Sequence, residues 1–148
     1  MRRLFYDGGV GLPASIGLLL LRLVVGSAFV LHGWPKIQAP FSWMPPQMGS
    51  VPGILQAVAA LSEFGGGIAL VLGLLTRPAA LALAATMAVA ACMVHIASGD
   101  PFVHPTGGRS WELAAVYFTC AVLLLITGPG RLSLDALLFG RRSEWPRE

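Results

Sequence analysis

Apolar residues run along this chain in four long blocks rather than alternating with polar ones. The first, about Ala14 to Gly33, is almost continuous in Leu, Val, Ala and Gly. The others cover about Ile54 to Leu75, Pro78 to Ala97 and Trp111 to Thr127. A helix needs about 20 apolar residues to cross a hydrocarbon core of about 30 Å. The pattern therefore predicts an all-α integral membrane protein, with residues 1–148 forming one membrane domain. Short connections between most neighbouring spans predict an up-down-up-down four-helix bundle.

The breaks between blocks have chemical causes. Pro35 is expected to end the first helix, with Trp34 anchored at the membrane interface. Prolines 35, 40, 45, 46 and 52 exclude a regular span from the first outer loop, 34–53. Phe41, Trp43, Met44 and Met48 predict that this loop lies on the membrane surface and partly covers the bundle. Leu75-Thr76-Arg77-Pro78 reads as a tight turn, with Pro78 in the first turn of the third span. The second outer loop is 98–110. Gly128-Pro129-Gly130 stops the fourth span, and a short amphipathic segment follows up to Gly140.

Composition supports the membrane reading. The chain is 55% hydrophobic and 11% charged, against about 25% charged in soluble domains. The net charge of +3 matters less than its distribution. Arg2, Arg3, Arg77, Arg131, Arg141, Arg142 and Arg147 fall on one side of the spans, and Lys36 and Arg109 on the other. The positive-inside rule then places both termini in the cytoplasm, in a bacterial or archaeal cytoplasmic membrane. These arginines suit anionic lipid. No basic stripe interleaved with aromatics points to nucleic acid. Cys92 and Cys120 are far apart with no CxxC, so they are expected as small apolar fillers, not a disulfide framework. The MRR opening resembles a signal peptide, with Gly26-Ser27-Ala28 as a cleavage site. Arg22 interrupts the apolar run and further membrane spans follow, so a retained span is the expectation.

Charges inside the spans are the candidate chemistry, because an intramembrane charge is costly and normally partnered. Arg22 lies roughly 15 Å below His32, and Glu63 roughly 14 Å below Ile54, at 1.5 Å per residue. Equal depth predicts an Arg22–Glu63 ion pair near the midplane. Ligand-binding candidates gather in the outer half: Arg22, His32, Lys36, Glu63, His95, Arg109 and Glu112. Gln56, Asp100, His104 and Thr119 add polarity there, whereas the other half of the spans reads as almost wholly apolar. No catalytic residue is assigned. The three histidines lack a metal-ligand spacing motif, so no metal is expected. A haem between His32 and His95 is the weaker alternative. Each member also has a bland explanation. An Arg–Glu pair fixes helix register, interfacial histidines are satisfied by backbone, and Glu112 suits a helix N-terminus.

Arg22, His32-Gly33, Lys36, Glu63, Gly66-Gly67 and Gly73-Leu-Leu-Thr-Arg77 together resemble the DoxX family of small four-span membrane proteins. The ending Gly128-Pro129-Gly130-Arg131-Leu-Ser-Leu-Asp135 looks like that family's closing motif. The resemblance covers about residues 15–139. It implies an inner-membrane protein associated with quinone-linked redox assemblies and with sulfur or oxidative-stress metabolism. It also implies that Arg22, His32, Lys36 and Glu63 belong to a shared site.

Three functions compete. The first is a quinone- or small-anion-binding subunit of an oxidoreductase. The chain has no flavin, haem or Fe–S motif and no covalently bound cofactor is expected, so electrons need a partner or the quinone itself. The second is a structural or assembly subunit in which the polar cluster only specifies packing. The third is a small transporter, which the apolar cytoplasmic half argues against. The expected partners are the lipid bilayer, an oxidoreductase or stress-response protein and further copies of the chain in a homo-oligomer.

Overall fold

The computed structural model describes residues 10–45 and 51–140. Arg2, Arg3, Met48, Pro46 and the charged end from Arg141 onward lie outside the described residues.

Those residues fold into helices joined by loops, without strands. Helix α1 is Leu12–Gln38, α2 is Gly53–Leu72, α3 is Thr76–Val89, α4 is Glu112–Thr127 and α5 is Leu134–Phe139. Helix α3 continues through a π-helical turn, Ala90–His95, and a 3₁₀ turn, Ile96–Ser98. Helices α1, α2 and α3 with its extension are long and apolar enough to cross a membrane. Helix α4 is equally apolar and shorter, at 16 residues.

The distribution of side chains is that of a membrane bundle. Leu20, Val24, Leu31, Leu61 and Ile126 point outward. Ser15, Arg22, Gln56, Glu63, Thr76 and Asp135 are buried. Burying polar groups while exposing Leu and Val is costly in water and favourable in lipid.

Glycine determines how α1 meets α2. A Cβ on Gly33 would stand 2.5 Å from the Phe64 backbone nitrogen, and one on Gly26 would stand 2.8 Å from the Gly67 carbonyl oxygen. Small residues at such crossings let backbones approach, which is how helices associate without a hydrophobic driving force. These contacts run antiparallel, with Gly33 level with Phe64 and Gly26 level with Gly67. A core of Phe29, Leu70, Leu83, Leu124 and the alanines of α3 and α4 fills the rest.

Two expectations about α1 change. Pro35 lies inside the helix, which continues to Gln38. The first loop is correspondingly shorter, and Gln56 pins it. Its carbonyl oxygen accepts from the Trp43 indole at 2.9 Å, its side-chain oxygen accepts from Met44 N–H at 3.0 Å, and its amide donates to the Val51 carbonyl at 2.9 Å.

Candidate functional site

The polar residues form two separate groups, one at each end of the bundle. The predicted Arg22–Glu63 pair does not form. Glu63 lies one residue from Phe64, hence level with Gly33, and Arg22 is eleven residues further along α1. That separates their levels by about 16 Å. The extra helical turn after Gly33 supplies the true partner. Lys36 Nζ contacts both Glu63 carboxylate oxygens at 2.6 Å. Its aliphatic stem reaches down the helix surface while the ammonium finds the acid, as long basic side chains do. The ammonium also lies 4.5 Å from the Trp43 ring centroid, so the loop closes over the pair. Glu63 is nearly inaccessible and Lys36 is partly open.

Arg22 belongs to the opposite end, so the half expected to be apolar carries a polar core of its own. Arg22 is fully buried, and its Nη2 donates to the Leu132 carbonyl. The Asp135 carboxylate supplies the compensating negative charge nearby. Asp135 also accepts from Leu75 N–H at 2.8 Å and Thr76 N–H at 2.9 Å, and donates its own N–H to the Gly73 carbonyl at 2.8 Å. This carboxylate caps the start of α3, where Leu75 adopts a left-handed conformation at φ +49°. Gly73, at φ +66°, ends α2, and a Cβ there would overlap the Arg22 guanidinium. Ser15 accepts from Arg131 N–H at 3.0 Å. The Gly73–Arg77 turn and the Gly128–Asp135 segment are thus one clasp around Arg22. Within it Arg22 has the Leu132 carbonyl as hydrogen-bond acceptor and the Asp135 carboxylate as nearby counter-charge.

The other end opens into a cavity of about 360 Å³. His32, Lys36, Glu63, His95 and Arg109 line it, so five of the seven candidate ligand residues converge. Arg22 does not, and Glu112 is exposed at the start of α4, where an acid suits the helix N-terminus. The buried Phe29 and Met87 give the cavity an apolar floor, and the more exposed Leu113 adds to its lining. Tyr117 lies among them with its ring 5.0 Å from Phe29 and 6.3 Å from His32, centroid to centroid. The sequence reading missed Tyr117, because a single aromatic in an apolar block has no distinguishing pattern.

The mouth is held by Asp100. Its Oδ2 is 2.8 Å from His95 Nδ1 and accepts from Arg109 Nε at 3.1 Å. The His95 hydrogen bond above all, helped by the Arg109 guanidinium, holds the Asp100 carboxyl below the usual carboxylate range although desolvation pushes it the other way. Gly99 at φ +76° reverses the chain so that Asp100 N–H meets the His95 carbonyl at 3.0 Å and Gly99 N–H meets the Ile96 carbonyl at 2.9 Å. This is a helix stop closed by paired backbone bonds, with glycine at its left-handed position. His104 is in the loop outside the cavity lining, where its Nδ1 lies 3.5 Å from the Thr106 hydroxyl. Cys92 and Cys120 are free.

Comparison with known proteins follows the same lines. Residues 17–96 match the model of the DoxX family. An uncharacterized Haemophilus influenzae protein is 36% identical over 82% of this chain and 90% of its own length. The Escherichia coli inner membrane protein YqjF is 34% identical over 84% of this chain and 93% of its own. Bacillus subtilis CatD, named as a candidate oxidoreductase, is 31% identical over 84% of this chain and 89% of its own. No solved structure matches the chain. With four apolar helices packed around buried polar residues, and both motif segments meeting at Arg22, the chain belongs to the DoxX family of membrane proteins.

Proposed function

We propose that this chain is a multi-pass subunit of the bacterial inner membrane that binds a quinone or small anion in its outer-half cavity for a redox assembly. The observation that carries the reading is the convergence of His32, Lys36, Glu63, His95 and Arg109, from four separate segments, on one cavity of about 360 Å³. A polar rim over an apolar floor suits a ligand with an oxygen-bearing head and an apolar body. The bundle runs up-down-up-down with both termini cytoplasmic, because in the sequence seven arginines outside the spans fall on the side of the termini, against Lys36 and Arg109 on the other, as the positive-inside rule requires. The cavity then opens toward the outer face. The inner-membrane placement of YqjF and the oxidoreductase name of CatD support location and redox association respectively.

A second reading has its own support. The clasp around Arg22 and the Lys36–Glu63 pair both fix packing, as a structural or assembly subunit requires. Mass spectrometry of organic extracts from gently purified protein separates the two. The ligand reading expects a small molecule retained by wild type and lost from a folded Lys36→Met/Glu63→Leu variant. No retained molecule in either, with the double variant assembling normally with its partners, rejects it.

A further inference from the structure

His95 stands in the setting of a proton acceptor. Its Nδ1 is 2.8 Å from Asp100 Oδ2, so the carboxylate holds the proton on Nδ1. In the neutral imidazole the other ring nitrogen, Nε2, is then the lone-pair acceptor, and the residue lines the cavity. A hydrogen bond at one imidazole nitrogen fixes the tautomer and the role of the other. Asp100 is itself fixed, by the Arg109 guanidinium at 3.1 Å and by its own N–H on the His95 carbonyl. The backbone is also unusual here. The helix opens into a π-helical turn over Ala90–His95, and such turns recur at functional sites. A histidine that only filled space would need no acid on Nδ1.

We propose that His95, oriented by Asp100, takes the hydroxyl proton of a weakly acidic aromatic alcohol bound in the cavity, a phenol or hydroquinone. This rests on the reading of the cavity as a ligand site. In the step the ligand O–H bond breaks and an Nε2–H bond forms. The electron pair stays on oxygen, no electron leaves the ligand, and the proton remains on the imidazole. The resulting imidazolium is held by the Asp100 carboxylate. Asp100 is a positioning residue. The charged and titratable groups around His95 suit this change. Lys36 and His32 on α1 and Arg109 on the loop offer donors to a phenolate. Glu63 on α2 is already occupied by Lys36, and Tyr117 on α4 contributes a neutral hydroxyl. The apolar floor of Phe29 and Met87 takes the ring.

The test uses the full chain in lipid nanodiscs with 4-nitrophenol, whose anion absorbs visible light and whose neutral form does not. Empty nanodiscs correct for partitioning. Wild type is expected to bind the probe saturably with its spectrum shifted toward the anion at a pH where the free probe is mostly neutral. His95→Gln keeps a donor for Asp100 but has no basic nitrogen. Asp100→Asn removes the charge that stabilises the imidazolium. Both are expected to bind the probe with the neutral spectrum, the anion fraction falling about tenfold or more. Nitrogen NMR of labelled histidine provides a second readout, placing the wild-type proton on Nδ1 and changing in Asp100→Asn. Saturable binding with the same anion fraction in wild type and His95→Gln overturns the proton transfer and leaves the cavity as a ligand site. Absence of saturable binding to wild type overturns both.

Discussion

Removing Lys36 should be far more damaging than its partly open position suggests. In Lys36→Met the ammonium is lost and Glu63, with 4% of its side chain accessible, keeps its carboxylate. Both oxygens currently receive contacts at 2.6 Å, and no second cation is described beside them. Breaking a buried pair at one partner costs about 3–5 kcal/mol, because the survivor is left uncompensated. Loss of the Trp43 contact adds about 0.5–2 kcal/mol. Replacing both partners, as in Lys36→Met/Glu63→Leu, leaves no orphan charge, and such replacements are often near neutral. The double variant should therefore recover most of the loss. Denaturant titration of protein in mild detergent, followed by circular dichroism, measures the cycle. A coupling energy below about 0.5 kcal/mol, the level at which distant sites simply add, would refute the assignment of the pair. The same assay on Arg22 and Glu63 gives a sharp contrast. Exchanging those charges should give no rescue, because their levels on the bundle are about 16 Å apart.

Other predictions follow from the clasp, the helix crossing and the mouth of the cavity. Gly73→Ala forces a Cβ onto the Arg22 guanidinium at a left-handed φ. It should cost more than the roughly 1 kcal/mol of an ordinary strained glycine site, and an unchanged denaturation midpoint would count against the clasp. Asp135→Ala strips the Leu75 and Thr76 amides of their acceptor. A loss of about 1–3 kcal/mol per orphaned group is expected, with faster amide exchange at the start of α3. Gly33→Ala drives a methyl into the Phe64 backbone and should cost about 1–3 kcal/mol by spreading α1 from α2, measured by the same titration. Asp100 has a depressed folded-state pKa, so its contribution to holding the 98–110 loop is present above the ordinary carboxylate value of about 3.9. It is lost as pH falls through the lower folded value. Carbon NMR of the Asp100 carboxyl reads this, and titration at or above the ordinary value contradicts the His95 and Arg109 bonds.

The membrane architecture was legible because long apolar blocks have few other uses, and proline and glycine mark most of their ends. Pro35 misled because proline near a helix end can be kept as well as used to stop, and here α1 runs on to Gln38. That one turn changed the electrostatics. Depth reckoned from His32 and Ile54 as the outer ends of their helices pairs Arg22 with Glu63, whereas the continued helix gives Glu63 to Lys36. The closing Gly128–Asp135 segment was recognisable as a motif, but its use was not. Asp135 acts on Leu75 and Thr76, some 60 residues away, and only the meeting of two chain reversals reveals it. The outer cluster fared better, since His32, Lys36, His95 and Arg109 lie near predicted span ends on one side and Glu63 lies in the outer half of its span. Glu112 shared that position but faces outward, because helical phase, not depth, decides which residues reach the cavity. Tyr117 and the Asp100–His95 contact depend on side-chain direction and on the reversal at Gly99, neither of which a linear pattern displays.

The central claim is that the cavity between Lys36, His95 and Tyr117 holds a small molecule. The most direct measurement is equilibrium titration of a short-chain quinone into nanodiscs containing wild type, Lys36→Met/Glu63→Leu, and Arg131→Ala as a control at the far end. Saturable binding at one site per chain in wild type and Arg131→Ala, lost in the double variant, is the predicted result. Equal binding by all three, or binding no greater than to empty nanodiscs, would contradict it.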